Sequence, residues 1–137
     1  MRRFLGFMLL LALVGCSTED ASLVADDFHK HLDQGDYKYI CDNLVDSEAD
    51  PSFPETFMNF LEVVGSWGEQ TNRVKEPGFN KQYKNGLVTV KLSYSFDLDS
   101  LHVHERIVLA SREDGYKIIM CNMNENEQVV IDASKNY

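Results

Sequence analysis

The side chains best equipped for chemistry are few and widely spaced. His102-x-His104 is the sharpest pair. Residues two apart on a strand share a face and sit ~6.6 Å apart by the strand rise, so both imidazoles could reach one divalent ion. Zinc needs a third or fourth ligand, and Asp99 and Glu105 are the nearest carboxylates. Without one of them, His102 and His104 read as exposed histidines near the beginning of a strand. His29 and His31 are also two apart, but on a helix they point away from one another. Tyr94 is the one polar side chain in an otherwise apolar stripe, and Asp97 and Asp99 fall on the other face or in a turn. Proton transfer beside a carbonyl would need Tyr94 to share a dry pocket with an acid or a histidine; the plainer reading is a core tyrosine whose hydroxyl reaches the rim. Cys41 and Cys121 both belong to apolar neighbourhoods, where they form either a disulfide or two buried free thiols. No glycine-rich phosphate loop and no Gly-x-Ser-x-Gly elbow occurs, so no cofactor is implied.

The elements that must carry these residues change period once. Ala21, Val24, Ala25, Phe28 and Leu32 recur at helical spacing, and Gly35 ends the run. Asp36 is placed to cap a second helix with Tyr37, Ile40, Cys41 and Leu44 on its apolar side. Ser52 and Glu55 form the pattern of a capping box around Pro54, ahead of a third helix bearing Phe57, Phe60, Leu61 and Val64. Beyond Gln70 the pattern alternates. Arg73 to Lys84 is a weak strand broken by Pro77-Gly78, and Asn85-Gly86 is a two-residue hairpin turn. Val88, Val90, Leu92, Tyr94, Phe96 and Leu98 then alternate with polar residues, which predicts one apolar and one wet face. Strands over Val103–Ser111 and Tyr116–Met123 follow, and residues 124–137 form a polar tail, loosely docked or disordered. The fold class is α+β: about three N-terminal helices on a curved antiparallel sheet of about four strands. In that arrangement Phe28, Phe57, Phe60 and Leu61 fill the concave side against Val90, Leu92, Tyr94 and Phe96. Trp67, with Phe53, Phe79 and Tyr83, is either an aromatic rim that meets a partner or ordinary core packing; Tyr94, Phe96 and Trp67 are the candidate pocket residues.

The N-terminus reads as an address. Arg2 and Arg3 precede an apolar run from Phe4 to Val14, too short to span a bilayer, and Leu13-Val14-Gly15-Cys16 follows. This string resembles the lipobox of bacterial lipoproteins. The resemblance implies cleavage before Cys16, a diacylglyceryl group on its thiol and acylation of the new amino terminus, which together anchor stably where one chain would not. Residues 1–15 are then a signal peptide, 16–20 a lipidated tether and 21–123 the folded domain. Ser17 in place of aspartate implies the outer membrane of a Gram-negative cell, with the domain facing the periplasm.

Charge narrows the partners. Removing residues 1–15 takes Arg2 and Arg3 from the 13 basic residues and none of the 22 acidic ones, moving the formal net charge from −9 to −11. Such a chain is repelled by nucleic acid and by anionic lipid surfaces. The order of elements, the long helix closing at Gly35-Asp36-Tyr37 and the strand-turn-strand of Glu113 to Ile119 resemble the nuclear transport factor two-like superfamily, whose cone-shaped fold serves ketosteroid isomerase, scytalone dehydratase and small bacterial lipoproteins; a cystatin-like helix-on-sheet module is the alternative architecture. Two function classes follow. One is a non-catalytic envelope module, lipid-anchored, binding another envelope protein or a small apolar ligand; the other is a carrier or enzyme with a hollow cone.

Overall fold

The computed structural model of the chain describes residues 18–84 and 86–137. The expected signal peptide, the lipobox and Cys16 lie outside the described residues, as does Asn85 of the hairpin turn. The elements are α1 (Thr18–Asp33), α2 (Tyr37–Asn43), α3 (Phe53–Ser66), β1 (Thr71–Lys75), β2 (Asn80–Lys84), β3 (Leu87–Leu98), β4 (Leu101–Arg112), β5 (Gly115–Asn124) and α4 (Glu127–Ala133). The chain is α+β, with its N-terminal helices packed on an open antiparallel sheet of five strands.

Helix α1 includes Thr18, inside the stretch expected as tether, and buries Ala21, Ala25, Phe28, His29 and Leu32 along one stripe. It ends as the Gly35 spacing predicts. Gly35 takes φ +70°, and the Gly35 and Asp36 amides bond back to the Leu32 and His31 carbonyls, satisfying the last turn. Asp36 then accepts from the Tyr39 amide at 3.4 Å and caps α2. The capping box expected at Ser52 is absent: the Ser52 hydroxyl donates to Asp50 Oδ1 at 2.7 Å, and Pro54 opens α3 without it. Near the end of α3, Gly65 lets the Tyr37 hydroxyl lie against the helix; a Cβ there would collide with it and push the tyrosine aside.

The strand order is β1-β3-β4-β5, with β2 also paired to β3. The weak strand expected over Arg73 to Lys84 is in fact two. Glu76-Pro77-Gly78-Phe79 interrupts it, since proline lacks an amide and Gly78 takes φ +91°; β1 therefore pairs with the second half of β3 and β2 with the first. Leu98 pairs with Leu101 across the Asp99-Ser100 turn, and Arg112 with Gly115 across the next.

The inner face of the sheet carries Val90, Leu92, Tyr94 and Phe96 from β3, Val103, Glu105, Ile107 and Leu109 from β4, and Ile118 and Met123 from β5. Phe28, Phe57 and Leu61 are buried against them, with Phe60 partly buried alongside. A fully buried phenylalanine contributes up to ~3 kcal/mol through the area it removes from water.

The opposite face departs from the expected wet surface. Thr89, Lys91, Val108 and Ala110 are buried there, because α4 returns across β4 and β5. Val130 of α4 is buried, Lys91 Nζ donates to the Ser134 carbonyl at 2.7 Å, and Arg106 Nη1 donates to Ser134 Oγ at 3.0 Å. Two cations thus meet the carboxyl end of a helix, where its dipole favours them. The polar tail is a docked element.

Candidate functional site

Alternation along β4 decides where its polar residues point. His102 and His104 share the outer face, as their spacing predicts, whereas Glu105 lies one residue further and faces inward between Val103 and Ile107. Glu105 is therefore no partner for these histidines. Asp99 takes φ +52° in the β3–β4 turn and lines a groove there. The zinc set His102, His104 with Asp99 or Glu105 does not assemble. His102 instead places Nδ1 2.9 Å from Asp97 Oδ1, and this contact, with the Asn72 amide, holds the Asp97 carboxyl below its usual range. His104 Nδ1 lies 3.4 Å from Glu76 Oε1.

Inside the helix–sheet layer stands a polar cluster that the linear pattern hides. Glu105 is 1% exposed, and its Oε1 is 2.5 Å from His29 Nε2 on α1. The His29 ring meets the edge of Tyr94 with centroids 4.5 Å apart. Cys121 Sγ lies 3.7 Å from Glu105 Oε2, and burial followed by the Glu105 charge pushes its thiol pKa well up. Burial, then the charges of Asp26 and Glu105, likewise push the Tyr94 hydroxyl upward. That hydroxyl has no hydrogen-bond partner. Cys41 and Cys121 are both free thiols, the second alternative for them.

A carboxylate, an imidazole and a phenol in contact are the ingredients of proton transfer. Here they are packed without room for a reactant: Phe28 adjoins His29 at 5.3 Å between ring centroids, and Glu105, Tyr94 and His29 are all buried. Sequence signals for the cluster did exist. His29 sits one residue after Phe28 and four after Ala25, within the buried stripe of α1, and Glu105 has the parity of Val103 and Ile107.

Open space lies elsewhere. At the end of the sheet, Trp67, Leu101 and the β3–β4 turn border a groove of about 520 Å³ with Leu98, Val103 and Met123 in its lining and Asp99 and Glu125 at its edge. Trp67 is 44% and Leu101 46% exposed. Of the three candidate pocket residues only Trp67 reaches this groove; Tyr94 and Phe96 belong to the core. Nor do the four aromatics form one rim. Phe79 and Tyr83 are exposed along the β2 edge, whereas Phe53 packs on Phe57 with centroids 5.7 Å apart. A second groove, about 600 Å³, runs where α1 ends beside α3, but its lining is more polar and includes Asp33, Gln34 and Glu69. Among the described residues, no helix is long and apolar enough to cross a membrane. No protein-family model, curated protein or solved structure matches the chain.

Proposed function

We propose that the chain is a lipid-anchored envelope protein whose domain binds a partner protein, without catalysis, in the groove beside Trp67. The observation that carries this reading is the contrast between the two sites: the polar cluster at Glu105 is buried and filled by its own side chains, while Trp67 and Leu101 stand half-exposed over an apolar floor. Large exposed aromatics bordering an apolar pocket are what binding anchors look like. Asp99 and Glu125 at the edge, with the acidic balance of the whole chain, select an apolar segment flanked by basic residues. Anchoring rests on the resemblance of Leu13-Val14-Gly15-Cys16 to a lipobox.

Trp67 is the only tryptophan, so the groove reports on itself. The full chain, reconstituted in zwitterionic vesicles, is titrated with a short peptide of alternating leucine and lysine, with its leucine–glutamate counterpart, and with the small apolar probe N-phenyl-1-naphthylamine. A saturable blue shift of Trp67 emission with the basic peptide, absent with the acidic one and lost in Leu101→Asp, is expected. No response to either peptide overturns the reading, and a response to the small probe alone transfers the groove to an apolar ligand.

A second reading, a carrier or enzyme of the ketosteroid isomerase-like type, draws on the His29–Glu105 pair beneath Tyr94. It requires the interior to open. A Glu105→Gln variant that folds like the parent protein yet loses its envelope phenotype would favour it.

A further inference from the structure

The outer face holds a second cluster, independent of the groove. Glu76, His104 and Glu127 come from three separate segments, and their ligand atoms lie within 4.8 Å of one another. Each is placed by local structure. The Glu76 amide donates to the Ser93 carbonyl at 2.9 Å, which extends β1 pairing by one residue and puts the Glu76 side chain on the outer face. His104 has outer-face parity on β4. Glu127 stands in the first turn of α4, which Asn126 caps through the Gln128 amide.

We propose that Glu76, His104 and Glu127 bind one zinc-type divalent ion that fastens α4 to the sheet. Ligands about 2.0–2.2 Å from a tetrahedral ion lie about 3.4 Å apart. The His104 Nδ1 to Glu76 Oε1 separation is 3.4 Å, longer than a good hydrogen bond and equal to that ligand spacing. His104 Nδ1 is accordingly buried without a hydrogen-bond partner. Beside these atoms is a crevice of about 10 Å³, lined by all three residues, which is the room one water or one ion needs. An imidazole with two carboxylates suits zinc better than magnesium or calcium, which take oxygen ligands alone, and the fourth position is left to water. Arg106 also lines the crevice and opposes a cation, but its guanidinium is engaged by the Ser93 and Ser134 hydroxyls. Two carboxylates against one guanidinium leave a net negative site. The histidine is one that the sequence singles out; its partners come from the residue just after β1 and from α4, not from its own strand.

The full chain, purified in mild detergent and freed of metal with EDTA, is titrated with zinc chloride by calorimetry and followed by thermal unfolding. One equivalent should bind, and saturating zinc should raise Tm by about 5 °C or more. His104→Gln and Glu127→Gln should each weaken binding at least about tenfold. His102→Gln, removing the neighbouring exposed imidazole, should leave it unchanged, and calcium should produce no shift. Circular dichroism of the metal-free variants shows whether each is folded; Glu127 is exposed, so its substitution is the one that spares the fold. Absence of stoichiometric zinc binding overturns the proposal. So does affinity unchanged in either His104→Gln or Glu127→Gln, or affinity lost in His102→Gln.

Discussion

Glu105 places a carboxylate in a layer that water does not reach, and His29 is the group that makes this tolerable. The two side chains are 0% and 6% exposed. An isolated charge at that depth is strongly unfavourable, whereas a paired and hydrogen-bonded one is held at modest net benefit. Glu105→Leu should therefore destabilise by ~3–5 kcal/mol, because it leaves the imidazole without its partner. The double variant His29→Leu/Glu105→Leu should lie within ~1 kcal/mol of the parent protein, since two apolar side chains suit this layer. Urea unfolding of the four proteins measures both. If the double variant is as unstable as the two single losses combined, the pair is not the unit described. Tyr94 completes the picture as a side chain whose ring, not its unpartnered hydroxyl, belongs to the packing.

Between elements, the segment after α2 is held to the sheet twice. Val45 bridges Ile118 on β5, covering that strand's free edge, and Asp46 takes a bidentate bond from Arg112 at 2.8 and 3.0 Å. Burial works against the Asp46 charge, but Arg112 and the Ala49 amide outweigh it and hold the carboxyl below the usual range. A carboxyl depressed in the folded state gives stability that is complete above its unfolded value and fades as pH falls through the folded one. Thermal unfolding should thus show this contribution intact from pH 7 to about 5 and declining below about 4. Asp46→Asn should be less stable by ~3 kcal/mol at pH 7 and should lack that part of the acid decline. An unchanged acid limb in Asp46→Asn would mean that the Arg112 bond contributes nothing to it.

At the scale of the molecule, Thr18 already belongs to α1, so lipidation at Cys16 would leave at most about two residues of tether, a reach of no more than ~7 Å at 3.3–3.6 Å per residue. The domain would then work against the lipid surface, and its partner would have to approach there. Cys16→Ser should move the chain from the membrane pellet to the soluble fraction and remove the mass added by the acyl groups. Retention in the pellet with an unshifted mass would refute anchoring at this residue. Coverage of both sheet faces follows from the same whole-chain view: α1 to α3 bury the inner side and α4 lies on β4 and β5 outside, so the clearest strand, β3, has buried residues on both faces.

The apolar period and the turn residues together determined the order of the first three helices and of the strands from Val88 onward, the Gly35 stop, the turns at Asp99-Ser100 and after Arg112, and which side of β3 meets Phe28 and Phe57. These are local properties, set by φ preference and by spacings of 2 and 3.6. The split between β1 and β2 is half-local: Pro77-Gly78 marks the break, but only pairing shows that both pieces share β3. Docking of the tail, by contrast, depends on Lys91 and Arg106 finding the Ser134 carbonyl and hydroxyl, contacts 43 and 28 residues apart in sequence. Glu105 was readable as inward by parity, yet its partner His29 lies 76 residues away on a helix, and no spacing rule connects the two. The meeting of Glu76, His104 and Glu127 is of the same kind. Charges and imidazoles acquire their neighbours only when the chain closes, and it is the neighbour, not the residue type, that sets whether such a group packs, titrates or binds.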